Sequence, residues 1–151
     1  VVVDSRAKGA RAEIDVRDVL RKYTGLQWER VPGSGALNEK HKLKGDLYLV
    51  DRQNIFCVEV KHYEEDHVTT AVLTSKDPTL LSWWAQATRQ ALQVGRKPLL
   101  IFKHNRSKKF VAYTDVPSSD IDHIFVSRDE HCFYISELEA WLQKEKPKFT
   151  S

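Results

Sequence analysis

Lys44-Gly45-Asp46-Leu47-Tyr48-Leu49-Val50, then Asp51-Arg52-Gln53-Asn54, then Ile55-Phe56-Cys57-Val58-Glu59-Val60-Lys61 is the stretch whose reading decides the fold. Two apolar runs around a polar connection predict a β-hairpin. Alternate residues of a strand share a face, so Glu59 and Lys61 point one way while Phe56, Val58 and Val60 point the other. A carboxylate and an ammonium on an otherwise apolar strand are costly unless paired or bound to something. If the hairpin brings Asp46 across from them, two carboxylates and a lysine converge.

Two carboxylates that close repel, and an oxygen-seeking divalent cation relieves the repulsion. Mg²⁺ held this way keeps several waters and can take a phosphate oxygen as a further ligand. Such a site suits phosphodiester hydrolysis, with Lys61 orienting the attacking water and adding positive charge. The hairpin alone also permits a plainer reading, an edge ion pair between Glu59 and Lys61 with Asp46 a turn residue after Gly45.

Asp46, twelve intervening residues and then Glu59-Val60-Lys61 resembles the signature of the PD-(D/E)XK nucleases. Upstream, Lys8-Gly9-Ala10-Arg11-Ala12-Glu13 and Arg30-Val31-Pro32-Gly33-Ser34-Gly35 are similar to the archaeal-type Holliday-junction resolvases of that superfamily. The similarity covers residues 8–62 and continues more weakly to residue 104. Gly45 departs from the family pattern, which often has proline there, and the departure is expected to alter only the start of the strand.

The resemblance implies an α/β fold, a mixed central sheet flanked by helices with a restriction-endonuclease-like core. It further implies hydrolysis of DNA with Mg²⁺, or Mn²⁺ as a substitute, by a homodimer that cuts opposing strands of a four-way junction. Asp46 and Glu59 would hold the metal with help from the Val60 carbonyl, and Glu13 would join the metal site from its outer side. Lys61 would assist the water, while Ser34 and Gln86 would tune the phosphate. A restriction, repair or phage recombination nuclease on the same core is an alternative. So is a catalytically silent DNA-binding module, or a protein-binding protein in which these charges are structural.

Around this centre, Ala12, Val16, Val19, Leu20 and Tyr23 recur at helical spacing and predict a helix over 8–23, with Gly25 as its stop. Glu13 stands seven residues before Leu20, nearly two full turns, and so points inward. It reads either as a site carboxylate or as the partner of Arg17 one turn on. In the Pro32–Gly35 loop, glycines flanking Ser34 let backbone N–H groups approach an anion. Residues 38–44 form a polar, basic arm. Arg6, Lys8, Arg11, Arg30, Lys40, Lys42 and Lys44 are the candidate DNA contacts.

Residues 79–94 predict a second helix with Leu80, Leu81, Trp84, Ala87, Thr88, Ala91 and Leu92 on its apolar side. Trp83 and Trp84 suit packing better than base stacking. Gln86 and Gln90 share a face; Gln86 is the expected site residue and Gln90 its rival. Pro98–Phe102 reads as a central strand, and residues 103–109 as a basic turn leading to a returning strand at 110–113. Residues 121–126 and 131–135 read as short edge strands. Ser136 with Glu139 reads as a capping box before a closing helix over 137–144.

At 151 residues the chain suits one compact domain. The expected organisation is a core at 8–114, a strand-and-helix addition at 115–146 and a loose tail at 147–151. A net charge of +3 permits nucleic acid as a partner without demanding it. Cys57 and Cys132 are isolated and fit reduced thiols in the cytoplasm rather than a disulfide framework. No apolar run suits a membrane span, and the start is too short for a signal peptide. An intracellular, DNA-associated protein, with a virus among its candidate sources, is expected.

Overall fold

The computed structural model describes residues 5–32 and 43–151, the first three by backbone alone. The sequence-predicted residues Ser34, Lys40, His41 and Lys42, and the Arg6 side chain, lie outside the described residues.

Helix α1 (Ser5–Thr24) buries Ala12, Val16 and Leu20 as its stripe predicts. Gly25, at φ +71°, ends it by donating its N–H to the Arg21 carbonyl at 3.0 Å. Strands β1 (Trp28–Arg30) and β2 (Leu47–Leu49) pair antiparallel, and β2 pairs antiparallel with β3 (Phe56–Tyr63). The chain then crosses over through a short helix α2 (Ala71–Thr74) and helix α3 (Thr79–Gln93) to β4 (Lys97–His104). β4 lies parallel to β3 over its full length, Phe56 opposite Lys97 through Tyr63 opposite His104. Strands β5 (Phe110–Tyr113), β6 (Ile124–Arg128) and β7 (His131–Glu137) complete a mixed sheet in the order β1-β2-β3-β4-β5-β7-β6.

The sheet is buried on both faces, which explains why β3 and β4 are nearly continuous apolar runs. Phe56, Val58, Val60, Leu99 and Ile101 face α1 and the C-terminal segment. Leu100, Phe102, Ala112 and Phe133 face α3, against Leu80, Leu81, Trp83, Trp84 and Ala87. The two tryptophans are core residues of the chain itself. Leu92 and Thr88, expected on the apolar side of this helix, are instead exposed, because they lie one turn apart on its outer face while the buried row runs through Leu80, Trp84, Ala87 and Ala91.

Three further expectations are corrected. Residues 131–135 do not form an edge, since β7 runs between β5 and β6. Ser136 is no helix cap: it belongs to β7, and its hydroxyl bonds the Tyr113 hydroxyl at 2.8 Å and the Asp122 carbonyl at 3.0 Å. Glu137 precedes the closing helix α4 (Leu138–Ala140), which widens into a π-helical turn over Trp141–Glu145. The Glu139 carboxylate accepts instead from the Tyr23 hydroxyl of α1.

The tail is not loose. Phe149 is 3% exposed, edge-on to Trp28 at 5.1 Å and to Phe56 at 5.4 Å between ring centroids. Its carbonyl accepts the Ile55 N–H at 2.7 Å. Pro147 ends the helical turn, but the apolar gap beneath β1 and β3 captures the next aromatic side chain.

Candidate active site

The backbone fixes Asp46 before its side chain acts. Its N–H donates to the Val58 carbonyl at 2.7 Å, and its carbonyl accepts the Val31 N–H at 2.9 Å. With Asp46 so placed at the start of β2, its Oδ2 accepts the Val60 N–H at 2.7 Å. The aspartate therefore leans across the end of β2 onto the strand that carries Glu59 and Lys61.

Glu59 sits where alternation puts it, on the α3 side of β3 and opposite Leu100 of β4. It is 5% exposed, and its Oε2 has no hydrogen-bond partner. Among the described residues the only other buried side-chain polar atom without a partner is Asn54 Nδ2, at the far end of β3. A partnerless carboxylate oxygen in a packed interior is costly. A positive charge placed against that oxygen would relieve the cost.

The electrostatics agree. Burial pushes the Asp46 carboxyl up to about 8, with the facing Glu59 charge adding to it and the Val60 N–H working against it. Glu59 is also raised, by burial first, while the Lys61 ammonium and the Asp46 contact pull it back. Glu13 raises both.

Glu13 thus lies near the pair yet outside it. Its Oε1 accepts from Arg30 Nε at 2.9 Å, so its ion-pair partner is Arg30 across the sheet rather than Arg17. Arg30, expected on DNA, is engaged in that pair. Of the other candidate DNA contacts, Lys8 and Lys44 are half-buried and Arg11 is exposed. Lys8 lies close enough to help depress the His62 ring, whose pKa falls chiefly through burial. The basic turn after β4 sits at the same end of the sheet as Lys61, because Lys61 aligns with Phe102 and His62 with Lys103. Two bonds tie it to the chain following β3: Asn105 N–H to the Glu64 carbonyl at 3.3 Å, and His62 Nε2 with Asn105 Oδ1 at 3.1 Å. The acidic residues 64–66, unexplained by the sequence, are exposed and shape this junction; Asp66 Oδ1 accepts the Val68 N–H at 2.8 Å.

Of the two glutamines on α3, the site contact falls to Gln90. Its Oε1 accepts the Gly45 N–H at 2.9 Å, and its amide helps hold Glu59 in the carboxylate form. Gln86 lies one turn earlier, half-buried. Helical spacing put both on one face and could not say which turn meets the strand.

Among the described residues no three His, Cys, Asp or Glu side chains converge, so the side-chain donor set is the Asp46–Glu59 pair. That pair fits Mg²⁺, which takes one or two carboxylates and keeps the rest of its shell as water. The partnerless Glu59 Oε2 is the position such an ion would satisfy.

An acid and a lysine on β3, a second acid leaning in from the start of β2 and a parallel crossover behind them are the arrangement that the PD-(D/E)XK signature implies. The chain belongs to the family described as "Phage putative PDDEXK endonuclease", whose model matches residues 4–149. It is similar to Protein D14 of Escherichia phage T5, 40% identical over 153 residues that take in 94% of each chain. Among solved structures it aligns with Hjc, a Holliday junction resolvase of Archaeoglobus fulgidus. That alignment has 20% identity and a TM-score of 0.43, over 88% of this chain and 92% of the other. Among the described residues no helix is long and apolar enough to cross a membrane.

Proposed function

We propose that this chain is a Mg²⁺-dependent endonuclease that hydrolyses DNA phosphodiesters, with Mn²⁺ able to substitute. The Asp46–Glu59 pair, with the buried, partnerless Glu59 Oε2 beside Lys61, carries the proposal. Asp46 and Glu59 would hold the cation. The Val60 carbonyl leaves β3 on the same side as the Val60 N–H that meets Asp46, which suits it as a third oxygen donor. The bound cation would offset phosphate charge and acidify a water.

The chain's own groups do the rest. Lys61 offers its ammonium to the attacking water and to the charge developing on the phosphate. Asp46, tied to the Val60 N–H, keeps one oxygen on the backbone and one for the cation. Glu13, held by Arg30, orders the outer side without joining the pair. The basic turn at residues 103–109 and Lys8, at the same end of the sheet, would take flanking phosphates. Ser34 would add a hydroxyl near the scissile phosphate, with Lys40, Lys42 and Lys44 on the approaching backbone and Gln86 beside them.

The substrate in this reading is branched DNA, cut by a homodimer with paired nicks across a four-way junction. Its support is the likeness of residues 8–62 to the junction-resolving branch of the superfamily. The phage relative supports a virus-encoded protein acting on DNA inside an infected cell.

The test is cleavage of linear duplex, flap and four-way junction at one salt concentration, since phosphate-driven affinity depends steeply on salt. Cutting is expected with Mg²⁺ or Mn²⁺ and little with Ca²⁺, whose larger, looser shell positions water poorly. The junction should be preferred, and an extruded cruciform plasmid should be linearised. Robust cutting in chelator would overturn the metal site. Equal cutting of duplex and junction would leave a nuclease and remove the branched substrate.

A further inference from the structure

Gly45 and Gln90 are bound to each other beside the acidic pair, and neither is a metal donor. Gly45 stands at φ +80°, a conformation that side chains rarely adopt. A Cβ there would collide with the Val58 carbonyl oxygen and press on Cys57 Sγ at 3.2 Å. That same Val58 oxygen accepts the Asp46 N–H. The missing side chain therefore lets the segment before β2 lie directly on β3, and this close approach seats Asp46.

Glycine alone would leave that seat loose, because it has more backbone freedom to lose than any other residue. A proline at this position would have restricted the backbone but could not reach a positive φ, and it has no N–H to give. Here the N–H is given to Gln90 Oε1 at 2.9 Å. Gln90 comes from the last turns of α3, 45 residues along the chain, and its amide group also faces Glu59. One half-buried side chain of α3 thus holds the residue before Asp46, on the face of the sheet that carries Glu59.

We propose that Gln90 is the positioning residue of this site: by clamping Gly45 to α3 with its carbonyl oxygen, it fixes where Asp46 stands against Glu59 and so the separation at which the two receive a divalent cation. The inference rests on the reading of those two acids as metal ligands. It assigns the restraint that proline would give to a hydrogen bond from a different element. Cation affinity is then coupled to how α3 seats on the sheet.

Three variants separate the contacts. Gln90→Met keeps the length and loses the hydrogen bond to Gly45. Gln90→Glu keeps the acceptor for Gly45 but places a third carboxylate near Glu59. Gln90→Asn keeps the amide on a shorter stem. Two measurements on the full chain need no cleavage: the exchange rate of the Gly45 amide proton by NMR, and Mn²⁺ affinity by calorimetry. Exchange at Gly45 should be slow in wild type, faster in Gln90→Met and Gln90→Asn, and again slow in Gln90→Glu. Mn²⁺ should bind Gln90→Met about 10–100-fold more weakly, as when a group that orients metal ligands is removed. With Mn²⁺ saturating, the DNA concentration at half-maximal cutting should stay near wild type while the turnover number falls.

Unchanged Gly45 exchange and unchanged Mn²⁺ affinity in Gln90→Met would overturn the clamp while leaving the nuclease site standing. Wild-type protein that binds no Mn²⁺ would overturn the metal reading and the inference with it. If Gln90→Met lost its fold, fast Gly45 exchange in a folded Gln90→Asn would support the clamp and wild-type exchange there would overturn it.

Discussion

Tyr113 with Ser136, and half-buried Asp46 with buried Glu59, are both polar pairs between strands of one sheet, and they are finished differently. In the first, Ser136 Oγ gives its proton to the Asp122 carbonyl and so accepts from the Tyr113 hydroxyl. Every polar atom there has a partner, and burial raises Tyr113 out of any working pH range. In the second, two acids face each other, one oxygen is left without a partner, and Asp46 is pushed up to about 8. The satisfied pair locks β5 to β7. The unsatisfied pair weakens the resting protein and, in the function proposed above, keeps a place for a cation. Buried polarity marks function when its hydrogen bonding is incomplete.

Removing one member of each pair should give opposite results, and the largest effect is on rate. Asp46→Asn or Lys61→Ala should cut at least ~10²–10³-fold more slowly, the loss typical of removing a transition-state charge partner. DNA binding should persist, because it draws on many phosphate contacts. Ser136→Ala should cut at the wild-type rate at a temperature where it remains folded. Time courses of plasmid nicking check all three, and near-normal cutting by Asp46→Asn would dissolve the contrast.

Stability should invert the order. Ser136→Ala strands the Tyr113 hydroxyl and should cost about 1–3 kcal/mol. Glu59→Gln removes charge from a crowded pair, so metal-free protein should be no less stable than wild type. Urea denaturation in chelator measures both, and equal losses in the two variants would show that the acids also brace the fold.

The smallest effect is the pH slope. The Asp46 carboxyl rises from its ordinary 3.8 to about 8 on folding, so between those values the folded chain keeps a proton that the unfolded chain releases. Stability of the metal-free protein should therefore fall as pH rises through that window, and the raised Glu59 acts in the same direction. Melting temperatures in chelator from pH 5 to pH 8 should drop more for wild type than for Asp46→Asn. Added Mg²⁺ should raise the wild-type melting temperature more at pH 8 than at pH 5. A wild-type slope no steeper than that of Asp46→Asn would mean that the pair is not charged in the way its burial implies.

Glu59 and Lys61 were legible as a pair because they break a local pattern: two charges interrupt an apolar strand, and alternation places them on one face, whereas Asp46 joins them only through the hairpin. Glu13 was legible as inward-facing for the same kind of reason, from helical period, although its Arg30 partner was not. What failed was whatever depended on a distant partner. Ser136 and Glu139 have the spacing of a capping box, and only Tyr113, 23 residues away, takes that serine for the sheet. Phe149 follows a proline with no period to place it. Gln86 and Gln90 differ by one turn, about 5.4 Å along the axis, and the seating of α3 chooses between them. The unusual glycine at 45 was visible, but its use required the φ angle and the carbonyl beneath it.

The capture of Phe149 also sets an order of events during synthesis. Trp28 and Phe56 leave the ribosome early, yet the side chain that covers them emerges after every other core residue. Until then the start of β3 lacks both its apolar lid and the carbonyl that receives the Ile55 N–H. A chain interrupted before residue 149 would therefore carry its acids and its lysine on a sheet left unsealed where β3 begins.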